Sequence, residues 1–105
     1  MSSSSPSSLP FVLSELNSHI DEIRGTYGVT RLGVFGSVSR REDTLDSDID
    51  ILVDFPPEKG IYRKFIHLAD ELEEIFGRSV DLVTVKGLSP FIRTYVEREV
   101  IWVYG

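Results

Sequence analysis

Hydrophobic residues recur at helical spacing in three parts of the chain. The first stripe follows Pro10, which suits a first helical turn, and it ends where Gly25 and Gly28 loosen the chain. The second stripe ends at Gly77, a residue placed to cap a helix. The third follows Ser89-Pro90, a helix cap with proline at the first helical position. The residues predicted to be buried in these helices are Leu16, Ile20, Ile23 and Tyr27; Ile61, Phe65, Leu68, Leu72 and Ile75; and Leu88, Phe91, Ile92, Tyr95 and Val96.

Four further segments have the composition or the alternation of β-strands. The second is the clearest, because Ile49, Ile51 and Val53 lie on one side of it and the polar positions, with Leu52, lie on the other. Pro56-Pro57 then ends it, since proline cannot donate a hydrogen bond to a ladder. The candidate strands span residues 31–35, 48–55, 79–85 and 100–104. Helices and strands therefore alternate without a repeat, which predicts an α/β or α+β domain with a sheet covered by helices.

The composition fits one small folded domain and narrows its chemistry. A chain of 105 residues has room for one core, and 41% hydrophobic with 27% charged residues is a globular balance. The formal net charge of −6, with no long run of Lys or Arg, argues against direct binding of nucleic acid. The absence of cysteine excludes disulfides, thiolate zinc sites and a cysteine nucleophile. A phosphate ligand would have to be small and be bound with a cation or by backbone N–H groups.

The chain begins with a serine-rich segment. Residues 1–9 lack the basic and apolar blocks of a signal peptide, and we expect a flexible tail there, followed by a single domain over residues 10–105. No apolar run approaches the roughly 20 residues that a membrane helix needs. We therefore expect a soluble, cytoplasmic protein that does not bind a membrane.

Two aspartates of the second strand, Asp48 and Asp50, are the first candidates for chemistry. Asp is disfavoured in strands, and a spacing of two places both side chains on the same face. At ~4 Å and an effective dielectric of about 20, two like charges repel by roughly 4 kcal/mol, which a bound divalent cation would offset. Mg²⁺ takes one or two carboxylates together with substrate phosphates, and Asp81 of the third strand would add another oxygen. The alternative is that both aspartates lie on the solvated face of an edge strand, where charges discourage aggregation.

Gly36-Ser37, directly after the first strand, is the second candidate. Glycine lets a backbone approach a ligand, a following helical turn directs N–H groups toward phosphate, and Ser37 adds a hydroxyl. An isolated Gly-Ser pair is more often a plain turn. Gly36-Ser37 therefore indicates a phosphate site only in combination with Asp48 and Asp50.

The spacing of these residues resembles that of a known family. Ten residues separate Gly36-Ser37 from Asp48-Ile49-Asp50, and Arg40 lies between them. This pattern resembles the nucleotidyltransferase superfamily with the DNA polymerase beta type of palm, and most closely its minimal nucleotidyltransferases. The matching segments are residues 32–55, 80–83 and 88–90. The resemblance implies a palm with a small mixed sheet flanked by helices.

The resemblance also implies a role for each motif residue. Gly36-Ser37 would hold the terminal phosphates of the nucleotide, with Arg40 as a further nucleotide-binding residue. Asp48 and Asp50 would coordinate two Mg²⁺ ions, and Asp81 would complete the metal cluster and assist deprotonation of the acceptor. The usual donor in the family is ATP, so the reaction would be adenylylation with release of pyrophosphate.

One position departs from the family pattern. Relatives commonly continue Gly-Ser-x-x-Arg with Gly, whereas here Arg40 is followed by Arg41. A second guanidinium could bind phosphate or the acceptor, or it could simply face solvent. We favour the solvent-facing interpretation.

The molecule that accepts the nucleotide is the part of the reaction that the motif residues indicate least directly. Larger relatives carry an extra domain that grips the acceptor, and none is predicted here, so another protein could present it. The resemblance implies a toxin–antitoxin pair in which the enzyme silences a helical HEPN-type ribonuclease by adenylylating a tyrosine. Two alternatives stay open: an antitoxin that acts by contact alone, and a nucleotidyltransferase that modifies a small molecule such as an aminoglycoside.

Overall fold

The computed structural model of the protein describes residues 8–44 and 46–105. These residues form four α-helices, four β-strands and one 3₁₀ turn, in an order that alternates helix and strand. The elements are α1 (Leu9–Tyr27), β1 (Arg31–Phe35), α2 (Gly36–Ser39), β2 (Ile49–Asp54), α3 (Ile61–Phe76), β3 (Val80–Thr84), the 3₁₀ turn Val85–Gly87, α4 (Pro90–Glu99) and β4 (Ile101–Tyr104).

The four strands form one mixed sheet in the order β3-β2-β1-β4. Strand β1 is antiparallel to both of its neighbours, whereas β2 and β3 are parallel. A parallel pair needs a crossover, and α3 provides it between β2 and β3. The predicted class, a small mixed sheet with helices, is confirmed. Strand β2 lies inside the sheet, so the alternative that its aspartates belong to an edge strand is wrong.

The two faces of the sheet are covered unequally. Ile49, Ile51 and Val53 of β2 belong to the main core, together with buried residues of α1 and α3. Leu52 points to the opposite face, where it packs in a smaller cluster with Val96 of α4. The predicted alternation of β2 is therefore confirmed, and it places Asp50 on the face that carries α4.

The first helix differs from its predicted bounds at both ends. Residues 1–7 of the predicted tail lie outside the described residues, and Leu9, which we assigned to that tail, begins α1 and is buried. Gly25 lies inside the helix. Gly28 ends it in the left-handed conformation, with φ +68°, and donates its N–H to the carbonyl oxygen of Arg24.

None of the helices formed by residues 8–44 and 46–105 is long and apolar enough to span a membrane.

The buried face predicted for the last helix is wrong. Phe91, Ile92 and Tyr95 are 83%, 53% and 69% exposed, and only Val96 of the predicted set is buried. The predicted cap is present, because the Ser89 hydroxyl accepts a hydrogen bond from the N–H of Ile92. Hydrophobic spacing shows which residues share a helical face, but it does not show whether the domain has a surface to cover that face. Here the small cluster at Leu52 covers only the C-terminal part of α4, at Val96.

Candidate active site

Asp50 lies at the centre of the predicted site. In the parallel pair β2–β3 its register partner is Asp81, and in the antiparallel pair β1–β2 its partner is Phe35, the last residue before Gly36. Neighbouring strands are about 4.8 Å apart, so the backbones of the two aspartates are direct neighbours. The topology therefore brings together residues that are 31 positions apart in the sequence, since 81 − 50 = 31.

Asp48 immediately precedes β2, and its side chain is exposed. The loop that leads to it is held by Arg78, whose guanidinium donates to the carbonyl oxygens of Thr44 at 3.1 Å and of Ser47 at 2.6 Å. Hydrogen bonds from a charged donor are stronger than those between neutral groups. Arg78 therefore fixes the entry into β2, and sequence analysis did not identify it.

Burial and the surrounding acidic groups raise the pKa of Asp50. Burial is the largest cause, followed by the charges of Asp81 and Asp48, and the pKa of Asp50 rises from 3.8 to about 6 although Arg40 acts in the opposite direction. The three predicted metal ligands are thus close enough to interact. Among the described residues, however, no three His, Cys, Asp or Glu side chains converge closely enough to hold a metal ion by themselves.

This donor set fits Mg²⁺ better than a structural metal. Mg²⁺ keeps several waters and is usually bound through one or two carboxylates plus substrate phosphates, rather than by a cage made only of protein groups. Two neighbouring carboxylates, one of them half-buried and repelled by the other, match that mode of binding. A divalent cation beside Asp50 would remove the repulsion that raises its pKa.

Gly36 is in close contact with Asp50. Its backbone has φ +75°, in the left-handed region, and an ideal Cβ on it would lie 2.8 Å from Cγ of Asp50 and closer still to Oδ2. Only glycine fits such a position without strain or displacement of the aspartate. The Gly-Ser turn is therefore placed directly against Asp50, and the half-buried Ser37 follows as the next residue of α2.

Arg40 follows α2 and is engaged by two carboxylates. Its Nη1 donates to Oε1 of Glu99 at 2.8 Å and its Nε donates to Oε1 of Glu42 at 3.0 Å. Glu99 also accepts the backbone N–H of Gly36 at 2.7 Å through its Oε2. Glu99 is 63 positions from Gly36, and no local sequence pattern indicates that it belongs to the site.

Arg41 adopts a backbone conformation that favours glycine. Its φ is +61°, and it is the one non-glycine residue with positive φ in the described part of the chain. Its side chain is exposed, as we expected for a solvent-facing guanidinium. The glycine that the family resemblance leads us to expect at this position therefore has a conformational reason, because a Cβ is costly in this region.

A comparison with known protein families identifies the family to which this site belongs. The model of the nucleotidyltransferase domain matches residues 14–103. The chain belongs to the nucleotidyltransferase family. The match contains every predicted site residue of this nucleotidyltransferase, and it contains Glu99.

Individual relatives agree with the family match. The chain is 46% identical over 88 residues to the protein adenylyltransferase MntA of Thermococcus cleftensis, which covers 84% of this chain and 88% of the relative. A solved structure assigned as a minimal nucleotidyltransferase is 38% identical, with a TM-score of 0.69, and the match covers 85% of this chain and 93% of that one.

A third comparison shows a similar fold at lower identity. It is the complex of a tri-AMPylated Shewanella oneidensis HEPN toxin with an MNT antitoxin, with 22% identity and a TM-score of 0.62, covering 89% of this chain and 72% of that one. Together these matches confirm the predicted nucleotidyltransferase fold and class of enzyme.

Proposed function

We propose that this nucleotidyltransferase transfers AMP from ATP to a protein hydroxyl group, in a reaction that depends on Mg²⁺. The observation that carries the proposal is the contact of Gly36 with Asp50, whose register partner is Asp81. This contact brings the Gly36-Ser37 turn against Asp50, and we infer that the turn binds phosphate. A phosphate bound at the turn would therefore lie beside the groups that attract Mg²⁺.

Each residue of the site has a separate task in this proposal. Asp48 and Asp50 would hold the Mg²⁺ ions, while the turn at Gly36-Ser37 and the guanidinium of Arg40 would bind the terminal phosphates. Two Mg²⁺ ions, when bound, would stabilise the charge of the triphosphate and lower the pKa of the acceptor hydroxyl. Asp81 is exposed beside Asp50 and can accept the proton of that hydroxyl.

The transfer is a displacement at the α-phosphorus. A bond forms between the acceptor oxygen and that phosphorus, the bond to the oxygen bridging the α- and β-phosphates breaks, and pyrophosphate leaves. The proton of the acceptor passes to Asp81 and then to solvent. The acidic residues must be ionised for this chemistry, because a protonated Asp50 or Asp81 can neither bind the cation nor accept the proton.

The acceptor we propose is a tyrosine of a HEPN-type ribonuclease toxin, so that the enzyme acts as an antitoxin. Two comparisons support it: a relative with 46% identity is named a protein adenylyltransferase, and a structure of similar fold holds an AMPylated HEPN toxin. The exposed side chains of Phe91, Ile92 and Tyr95 add support, since large exposed apolar groups are typical of contact surfaces for other proteins.

A contact-only antitoxin is less consistent with the site. Binding alone would not require a glycine pressed against Asp50, nor a carboxylate whose pKa is raised by burial and by neighbouring acidic groups. Such a carboxylate costs stability, and costs of this kind are typical of sites selected for chemistry. The structure does not distinguish an aminoglycoside acceptor from a protein acceptor, and a transfer assay does.

The test is label transfer from ATP. The purified enzyme is incubated with Mg²⁺ and with either [α-³²P]ATP or [γ-³²P]ATP, in the presence of a HEPN-type ribonuclease or of kanamycin. We expect label on the ribonuclease from the α-labelled nucleotide only, and we expect the label to be absent when its candidate tyrosine is changed to Phe. Label on kanamycin alone would move the proposal to a small-molecule acceptor, and label from the γ-position would contradict nucleotidyl transfer.

A matched control is available on the same strand. Asp54 is on the same face of β2 as Asp50 and lies at the far end of the strand, opposite Arg31. We expect Asp50→Asn to abolish transfer and Asp54→Asn to retain it. Equal losses in both variants would show that charge on β2, rather than the Asp50 site, is responsible.

A further inference from the structure

The carboxylate of Glu99 joins two members of the nucleotide motif. Its Oε2 accepts the backbone N–H of Gly36 at 2.7 Å, and its Oε1 accepts Nη1 of Arg40 at 2.8 Å. The side chain of Glu99 is 25% exposed; its hydrogen bond with Gly36 is partly shielded from water, whereas its hydrogen bond with Arg40 lies at the exposed surface. Charge-assisted hydrogen bonds of this length are among the stronger ones in proteins.

These contacts belong to a closed ring. The backbone N–H of Arg40 donates to the carbonyl oxygen of Gly36 at 3.1 Å, so Arg40 is tied to Gly36 both through the main chain and through Glu99. Ser37 lies within this ring. A ring that fixes Gly36 and Arg40 together also restrains the three residues between them, and among these Ser37 is the one that we expect to offer its hydroxyl to phosphate.

The sheet itself holds Glu99 in place. Glu99 is the last residue of α4, and the chain continues through Val100 into β4, which pairs with β1. Strand β1 leads directly to Gly36. Gly36 directly follows the end of β1, and Glu99 lies two residues before the start of β4, which is the neighbouring antiparallel strand. The pairing of the two strands therefore brings Gly36 and Glu99 together.

We propose that Glu99 is a positioning residue for the nucleotide, which holds the Gly36-Ser37 turn and the Arg40 guanidinium in the orientation that receives the triphosphate. The inference rests on the proposed function and adds a residue to it. Arginine carries five N–H donors, and the contacts with Glu99 and Glu42 use only the donors on Nη1 and Nε, so donors remain for phosphate. Glu99 does not touch the nucleotide in this proposal; it acts through Gly36 and Arg40.

A different role for Glu99 makes the opposite prediction. A carboxylate on Gly36 and Arg40 could instead act as an internal competitor that phosphate has to displace. Removal of its charge would then strengthen nucleotide binding, because the anion-binding groups would become free. A positioning residue predicts weaker binding, because the same groups would lose their orientation.

The experiment compares Glu99→Gln with a control on the same helix. Glu97→Gln makes the same chemical change two residues away, where the carboxylate pairs with Arg93 on the exposed surface. ATP is titrated with Mg²⁺ into both variants and into the full-length wild type by calorimetry. We expect the Kd for ATP to rise about tenfold or more in Glu99→Gln, from the loss of one oriented charge-assisted hydrogen bond, and to change by less than about twofold in Glu97→Gln.

A second measurement tests the hydrogen bond between Gly36 and Glu99 in the absence of nucleotide. The amide proton of Gly36 should resonate at low field in the NMR spectrum of the wild type, because it is bound to a carboxylate, and it should move upfield in Glu99→Ala.

Unchanged ATP affinity in Glu99→Gln would overturn the proposal, and so would tighter binding, which is the mark of a competitor. A wild type that binds no ATP would instead count against the proposed function, together with the role of Glu99 in it.

Discussion

Asp50 and Asp81 are register partners in the parallel strands β2 and β3, and after burial the charge of Asp81 is the next largest cause of the raised pKa of Asp50. Asp50 also meets the backbone of Gly36 at the end of β1, so the turn and the acidic residues form one continuous surface. Placing these like charges side by side destabilises the metal-free protein.

Asp50→Asn should stabilise the metal-free protein at neutral pH. The folded pKa of Asp50, about 6, is above its ordinary value of 3.8, so the folded state binds the proton more tightly. Stability is therefore lost as the pH rises from about 4 to 6, and the full penalty is present above that range. Because Asp50 is only half-buried, we expect the variant to gain about 1–2 kcal/mol at pH 8 and almost nothing at pH 4.

The measurement is urea unfolding in EDTA at both pH values, with Asp54→Asn as the control. Asp54 lies on the same strand, but none of the groups that raise the pKa of Asp50 is Asp54. A gain of equal size at pH 4 and pH 8, or the same gain in the control, would show that repulsion at Asp50 is not its source.

Gly36→Ala should destabilise the fold by more than the backbone conformation alone requires. A left-handed backbone costs a non-glycine residue about 1–2 kcal/mol, and the added Cβ would also press on Asp50. Gly28→Ala is the matched control, because Gly28 has a similar φ of +68° but has no atom within 4 Å of the added Cβ. Chemical denaturation should show a larger loss for Gly36→Ala, and Asp50→Ala should relieve part of it. Equal losses at the two glycines would contradict the close contact with Asp50.

Arg41→Gly should increase stability without changing nucleotide binding. Arg41 has φ +61° and an exposed side chain, so glycine would remove backbone strain while giving up little contact. We expect a gain of about 0.5–1 kcal/mol, since part of the benefit is offset by the greater freedom of glycine in the unfolded chain. Thermal unfolding and ATP titration of the same variant test the two halves of the prediction. A weaker affinity for ATP would show that Arg41 binds phosphate or acceptor.

Much of the local structure could be predicted from the sequence. The first strand was predicted with the bounds that β1 has, and α3 begins at Ile61 and ends at the predicted cap, Gly77. These features depend on residues that are close in the chain, such as a hydrophobic stripe or a glycine after it. The family motif is also local in its main part, which is why the turn at Gly36 could be singled out together with Asp48 and Asp50.

The parts that could not be predicted depend on tertiary contacts. The role of Glu99 requires β4 to pair with β1, and the order of strands does not follow from the pattern. The exposure of Phe91 and Tyr95 depends on how much surface the domain presents to α4. The pairing of Asp50 with Asp81 was expected from the family resemblance, and the parallel register gives its physical basis.

The most direct test of the central claim is a calorimetric titration of ATP, with and without Mg²⁺, into the wild type, Asp48→Asn/Asp50→Asn and Asp54→Asn. We predict binding that requires Mg²⁺ in the wild type and in Asp54→Asn, and no binding in the double variant even though it remains folded. Binding of equal strength in the double variant, or no binding in a folded wild type, would contradict a nucleotide site formed by these aspartates and the Gly36 turn.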